Sequence, residues 1–364
     1  MKNILRLLII GACISSCNNN KTTLDNKLTS DNKPKPDAKT EIRKINDLLK
    51  QYEEPSQTFK VSADKPTQVT GKQGTIISVN PADLTTENGQ PFGKNIEVEL
   101  KELTNQEQLF RTNAQTTSNR QLLVSGGAYF INITSDGKQL KLKDGKSLSV
   151  EFPKITTNKM SLFYGQRDTL GQLNWQKAKQ NFESKLKPKA KVVSTKDTIA
   201  NETDEIEDIL EYIKNEDRNP LTKKEKKALK DQEKNIALAD KVYKAIELKQ
   251  FGWINCDRFY DVPNKTNLQY ALNDKSFISA NVYLVFKDIN SVMQSCYLSF
   301  KNKKFNSGFQ NIPIGAKTEL IAFSIRNGKT FIHKSDLTIK ANETIQLVLK
   351  EFSQDQVDKV FQSN

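Results

Sequence analysis

The side chains best suited to chemistry in this sequence are its four cysteines, its single histidine and a few carboxylates. Cys13 and Cys17 lie near the N-terminus, whereas Cys256 and Cys296 lie far along the chain. His333 is the only imidazole. One histidine and no Cys-x-x-Cys spacing leave no usual ligand set for zinc, and a catalytic Cys–His pair would need His333 to reach a distant thiol. We therefore expect no metal and no cofactor; a Ca²⁺ site built from carboxylates alone is the alternative, although the sequence has no Asp-x-Asp-x-Asp-Gly loop.

Cys256 and Cys296 have two interpretations. In an oxidising compartment they could form a disulfide, and the loop between them would give a stabilisation of about 3–4 kcal/mol. The alternative is a pair of buried free thiols, because free cysteine is among the most buried residue types. The spacing does not decide between them, so a disulfide stays possible.

Two further groups of residues suggest binding or cleavage of sugars. Glu97, Glu99 and Glu102 are close in sequence, and two carboxylates can hydrolyse a glycosidic bond. Glu97 and Glu99, however, take the polar positions of an alternating strand, where a solvated sheet face is the simpler explanation. Trp175 and Trp253 could line a sugar-binding surface, although aromatic residues on strands usually pack in a core. Because phosphate-binding loops and nucleophile elbows are also absent, we expect no catalytic residue.

The first 17 residues have the pattern of a secretory signal. Lys2 and Arg6 accompany a short apolar run, about half as long as the roughly 20 apolar residues of a membrane-spanning helix. The run ends in Ile14-Ser15-Ser16-Cys17, the lipobox order of an aliphatic residue, two small residues and cysteine. This order predicts a lipid anchor at Cys17. Cys13 ends a similar order after a shorter run, and an ordinary cleaved signal is the remaining alternative.

The elements that would position these residues follow in order. Residues 18–40 are rich in Lys, Asn, Asp and Pro and predict a disordered tether. Helical spacing of apolar residues predicts a short helix at 41–55. Residues 56–180 then change to a period of two, and apolar and charged side chains alternate from Ile96 to Lys101. This segment predicts a β-sandwich-like domain.

The second half of the chain contains a charged segment followed by another β-rich segment. Residues 181–240 predict a linker and charged helices, which a solvated helical pair explains better than a nucleic-acid-binding arm. Residues 241–364 predict a second β-sandwich-like domain, with an Asn-Gly hairpin at Arg326–Lys329 and a closing helix at Ser353–Phe361. The expected fold is mainly β, with two β-sandwich-like domains joined by a charged helical segment.

Several short motifs follow one another along the first β-rich segment. They are Gly74-Thr75-Ile76, Pro81-Ala82, Asn88-Gly89, Leu100-Lys101-Glu102, Thr117-Ser118-Asn119 and Gly126-Gly127. This series resembles an uncharacterised family of cell-envelope lipoproteins from the Bacteroidota, and the string Gly252–Phe259 is similar to one in the same group. The pattern is also loosely similar to the ZU5 β-domain of ankyrins and netrin receptors. The resemblance implies a non-catalytic interaction module.

The net charge of +13 fits either contact with anionic lipids or surface sugars near the anchor, or a Lys-rich composition without a specific partner. Export argues against nucleic acid as a partner. We expect an exported lipoprotein, held at the outer membrane and facing the periplasm, because no acidic residue follows Cys17 directly. Its expected role is non-catalytic binding of other envelope proteins. A glycan-binding or glycan-cleaving accessory protein is the alternative.

Overall fold

The computed structural model describes residues 37–182, 242–243, 246–300, 303–306 and 308–362. Over these ranges the protein is mainly β, which confirms the expected fold class, and it contains several antiparallel sheets. The predicted signal peptide with Cys17, most of the tether at 18–40 and nearly all of the charged segment at 181–240 lie outside the described residues. From residue 37 onward the chain belongs to one compact unit.

The strands of the described residues are numbered in chain order. The first eleven are β1 Gln57–Ser62, β2 Thr67–Thr70, β3 Ile76–Val79, β4 Leu84–Thr86, β5 Asn95–Leu103, β6 Thr117–Ser118, β7 Gln121–Ser135, β8 Lys138–Leu142, β9 Leu148–Glu151, β10 Ser161–Arg167 and β11 Leu173–Asn181. The other eleven are β12 Ile246–Leu248, β13 Gly252–Phe259, β14 Lys265–Leu272, β15 Ser279–Phe286, β16 Val292–Phe300, β17 Lys303–Asn306, β18 Phe309–Pro313, β19 Lys317–Arg326, β20 Lys329–Thr338, β21 Thr344–Leu347 and β22 Lys350–Phe352. The helices within the described residues are α1 Ala38–Lys50, α2 Gln106–Arg111 and α3 Gln354–Phe361, with a 3₁₀ turn at Pro81–Asp83.

The largest sheet has nine strands, with β1, β5, β7, β13, β10 and β11 in that order and β4, β6 and β8 attached beside them. Strand β5 shows why one face is buried, since Ile96, Val98 and Leu100 are fully buried and alternate with partly exposed polar side chains. A four-stranded sheet, β12-β9-β3-β2, supplies side chains such as Ile77 and Val150 to the same core. Alternation in the sequence therefore does predict the buried face here.

A second pair of sheets is built from later residues. One has six strands in the order β17-β16-β15-β19-β20-β22, and the other has three, β18-β14-β21, in which β14 and β21 run parallel. Their shared core contains Val282, Leu284 and Leu320 from the larger sheet and Leu268 and Phe309 from the smaller one.

A further cluster joins the nine-stranded and six-stranded sheets to all three helices. Phe163 of β10 and Phe323 of β19 contribute to it, together with Ile45 of α1, Phe110 of α2 and Phe361 of α3. The helices are short, and isolated helices of such length are marginal in water. Their stability therefore comes from the apolar side chains that they bury between the two sheets.

Strand β13 lies in a different sheet from the one that the predicted domain boundary implies. The sequence places Gly252–Phe259 in a C-terminal domain that begins at residue 241. In the structure this strand pairs with β7 on one side and β10 on the other, and β12 pairs with β9. The physical reason is burial on both faces: four consecutive residues, Ile254 to Asp257, are fully buried, which suits a central strand covered on both sides.

Two predicted local elements, the Asn-Gly hairpin and the closing helix, are confirmed. Strands β19 and β20 form the predicted hairpin, with Asn327 and Gly328 at φ of 53° and 75°, the left-handed conformation that an Asn-Gly turn supplies. The closing helix α3 begins after Ser353, whose side chain and Gln356 form a capping box. The first helix spans Ala38–Lys50 rather than 41–55, because Asp37 caps it three residues earlier.

Candidate functional site

The three carboxylates that the sequence groups together do not form one site. Glu102 is almost fully buried, with 1% of its surface exposed. It accepts hydrogen bonds from the backbone N–H of Gln73 at 2.9 Å, the backbone N–H of Thr75 at 3.0 Å and the side-chain amide of Gln57 at 2.8 Å. Glu99 is partly exposed and accepts a hydrogen bond from a serine hydroxyl. Glu102 therefore holds the turn before β3, away from solvent.

The two distant cysteines are free thiols in separate clusters. Cys256 packs in the core between the nine-stranded and four-stranded sheets, and Cys296 packs in the cluster that contains the helices. Burial raises the pKa of the Cys296 thiol to about 11, and burial, with Asp257 beside it, raises the pKa of Cys256 well above its usual value. Both thiols are therefore protonated at neutral pH, which makes them weak nucleophiles.

Beside Cys256 lies a buried carboxyl group that the sequence analysis did not single out. Asp257 is fully buried, and its Oδ2 accepts a hydrogen bond from the Asn255 side-chain amide at 2.6 Å. Its Oδ1 has no partner among the described residues. Burial raises the pKa of Asp257 well above its usual value. A Cβ on Gly126, on the neighbouring strand, would lie 2.8 Å from the Cys256 carbonyl oxygen, so the two backbones approach closely here.

His333 is half-buried on β20 and is occupied by local hydrogen bonds. Its Nδ1 accepts from the backbone N–H of Val348 at 3.2 Å, and its Nε2 lies 3.0 Å from the Ser335 hydroxyl. Burial lowers the pKa of the imidazole, so the ring is neutral at pH 7. Both ring nitrogens of His333 are therefore engaged by neighbouring protein groups, as expected for a structural residue on a strand.

The two tryptophans lie in one cluster and not in a surface cleft. Trp175 is fully buried, donates its indole N–H to the Gln115 carbonyl oxygen at 2.6 Å and packs edge-on against Trp253 with 6.4 Å between ring centroids. Trp253 is partly buried and lies beneath the Arg167 guanidinium. Arg167 in turn donates to the carbonyl oxygens of Thr112 and Asn113 at the end of α2. The contacts of Trp175, Trp253 and Arg167 therefore hold the strands and the end of α2 together and do not form a sugar-binding surface.

An open pocket of about 340 Å³ lies at the ends of β13, β15 and β18. Three loop segments, 260–264, 286–289 and 313–317, supply its lining, and we call it the loop pocket. The loops are joined by backbone hydrogen bonds, from the Ile314 N–H to the Asn264 oxygen at 3.0 Å and from the Lys287 N–H to the Lys317 oxygen at 2.8 Å. Strands from three different sheets therefore position a concave, loop-built surface, the usual setting for a binding site.

The lining of the loop pocket mixes apolar and polar side chains. Phe286 is buried at its base with 1% exposed, whereas Ile314 is 43% exposed. Tyr260, Asp288 and Lys317 also line it. Sequence patterns alone do not reveal this site, because its residues come from three segments that are each ordinary turns. The turn-forming residues Pro263-Asn264 and Pro313–Gly315 do predict loops in the sequence. They do not indicate that these loops come together in the fold.

The comparisons with known proteins give no family for this chain. No protein-family model matches it, and neither the curated proteins nor the solved structures contain a significant match. Among the residues that the structure describes, no group of three or more His, Cys, Asp or Glu side chains is arranged to hold a metal ion. In the same residues, no helix has the length and apolarity needed to cross a bilayer.

Proposed function

We propose that this chain is an exported lipoprotein of the cell envelope that presents β-sheet surfaces to other envelope proteins and does not catalyse a reaction. Cys17 would carry the lipid anchor, and the protein would face the periplasm from the outer membrane. The finer organisation, two β-sandwich-like domains with a charged helical segment within 181–240, is part of this proposal. The resemblance to Bacteroidota lipoproteins with a ZU5-like β-domain agrees with it.

The way in which helix α1 follows the tether supports the proposal. Asp37 caps α1, accepting a hydrogen bond from the Thr40 N–H at 3.1 Å. Directly after it, Ile42, Ile45 and Leu49 are buried to at least 98% in the cluster between the sheets. Fully burying each such side chain is worth about 1.5–3 kcal/mol. Helix α1 is therefore fixed firmly to the rest of the described fold.

The length of the tether is suited to presentation. Position 37 follows Cys17 by 20 positions, so an extended chain would reach at most about 70 Å. Exposed apolar side chains are available for partners at several places, including Ile155, Phe259 and Val348, which are 41%, 36% and 47% exposed. A partner protein would gain free energy by covering them.

The anchor is tested by paired substitutions. Cys17→Ala should release the protein from membranes and abolish labelling with radioactive palmitate, because the acylated thiol is gone. Cys13→Ala is the matched control and should leave both properties unchanged. The opposite pattern would move the anchor to Cys13, and membrane retention of both variants would contradict a lipoprotein.

The partner is tested by cross-linking intact cells and purifying the full-length protein from detergent-solubilised envelope. We expect envelope proteins to be recovered with the wild-type chain and to be reduced with Cys17→Ala, which would no longer be held beside them. Protease added outside intact cells should leave the protein uncut if it faces the periplasm. Recovery of no cross-linked protein would contradict the interaction role.

A further inference from the structure

The loop pocket contains polar side chains that the protein itself leaves unpaired. Asn264, Asp288 and Lys317 line it and are exposed to solvent, and within the described residues none of these three side chains has a hydrogen bond or ion pair to another protein group. The neighbouring charge behaves differently, since Lys287 forms an ion pair with Asp336 at 2.6 Å. Charges just outside the pocket are thus satisfied internally, whereas those that line it remain available for a ligand.

The pocket also has apolar walls. Val262, Ile289 and Pro313 line it together with the buried Phe286. A ligand that fills this space must therefore cover apolar surface and satisfy an anion, a cation and an amide at once. An apolar peptide side chain would do only the first, and burying the unpaired groups beneath it would cost free energy.

We propose that the loop pocket binds a saccharide ring. A pyranose presents C–H groups on its faces and hydroxyl groups at its edge, and each hydroxyl both donates and accepts hydrogen bonds. Asp288 would accept from ring hydroxyls, while Lys317 and Asn264 would donate to them. The volume of about 340 Å³ is at the small end of the range for ligand pockets, about 300–1,000 Å³, and suits one or two rings.

Tyr260 is the side chain that would contact the C–H face of the sugar. Its backbone N–H donates to the Leu122 oxygen at 2.9 Å, which fixes the start of the first loop to the beginning of β7. The Arg258 guanidinium lies 5.9 Å from the ring centroid of Tyr260. The residue is therefore held in place before a ligand arrives, which lowers the entropic cost of binding. This site is independent of the anchor and of the protein partners proposed above.

The test is nuclear magnetic resonance or calorimetric titration of the full-length protein in detergent with four disaccharides: chitobiose, maltose, lactose and mannobiose. We expect at least one to bind with a dissociation constant of about 10 mM or tighter and to shift resonances of residues 260–264, 286–289 and 313–317. Asp288→Asn and Lys317→Ala should each weaken binding about fivefold to tenfold, the effect of losing one ordinary hydrogen bond at a solvent-exposed site. Tyr260→Leu, which keeps apolar volume without a flat ring, should weaken it similarly.

Asp144→Asn and Lys340→Ala are matched controls, because both residues are exposed and do not line the pocket. They should bind like the wild type. The proposal is overturned if none of the four disaccharides binds, if binding is unchanged in both Asp288→Asn and Lys317→Ala, or if acetyl-leucine amide occupies the pocket in preference to the sugars. None of these results depends on membrane attachment, so failure here is distinct from failure of the anchor experiments.

Discussion

The carboxylate of Glu102 should be worth more to the fold than any other acidic group on β5. It is 1% exposed and accepts three hydrogen bonds. Glu102→Ala would leave the buried N–H of Thr75 and the partly buried N–H of Gln73 without an acceptor. Each such loss costs about 1–3 kcal/mol. The amide of Gln57, which can turn towards water, adds less, so we expect a loss of about 2–5 kcal/mol in the free energy of unfolding.

The assay is equilibrium unfolding in urea, followed by circular dichroism and by tryptophan fluorescence, since Trp175 and Trp253 both lie in the cluster between sheets. Glu99→Ala is the matched control on the same strand. It removes one hydrogen bond, from the Ser56 hydroxyl at 2.6 Å, at a partly exposed site, and should cost about 1 kcal/mol or less.

The reasoning would be refuted if the two variants were equally stable. That result would mean that water or a rearranged turn satisfies the N–H groups of residues 73 and 75 once the carboxylate is gone. Glu102→Gln refines the test, because an amide keeps one acceptor oxygen and places an N–H₂ group against a donor. Its loss of stability should fall between those of Glu102→Ala and the wild type.

Two further predictions concern the cores. Burial raises the pKa of Asp257 above the ordinary value of 3.8, so the folded protein keeps a proton that the unfolded chain releases. This contribution is complete below about pH 4 and is lost as pH rises towards the raised pKa, at about 1.4 kcal/mol per pH unit. Over that pH window, Asp257→Asn should therefore become progressively more stable relative to the wild type. A stability difference between the two proteins that does not change with pH would exclude a raised pKa of Asp257. Phe361 is 3% exposed and stacks on Tyr52, with 4.1 Å between ring centroids, and on Phe110. Phe361→Ala should cost about 3–5 kcal/mol in unfolding experiments, whereas exposed Lys359→Ala should cost under about 0.5 kcal/mol.

Local patterns in the sequence predicted much of the secondary structure. The alternation from Ile96 to Leu100 identified a strand with one buried face, the Asn-Gly pair identified the hairpin of β19 and β20, and Ser353 marked the start of α3. Each depends on the conformational preferences of neighbouring residues, and these preferences are the same wherever the segment lies in the fold.

The candidate site was much less predictable. Glu102 reads as one of three similar carboxylates, yet it alone meets the N–H groups of the turn before β3. Tyr260, Asp288 and Lys317 are separated by up to 57 positions in the chain and line one pocket only because β13, β15 and β18 end together. No pattern within a single segment contains that information.

The sequence by itself determined the mainly β character of the chain, the turn between β19 and β20, the start of α3, and the signal-like N-terminus that makes lipidation of Cys17 a specific hypothesis. Tertiary structure alone decided that β13 completes the nine-stranded sheet, that Cys256 and Cys296 lie in different clusters, and that three ordinary loops enclose a pocket. The physical reason is the range of the interactions. Backbone conformation and capping depend on residues a few positions apart, whereas strand pairing and burial are fixed by whichever distant surfaces exclude water together.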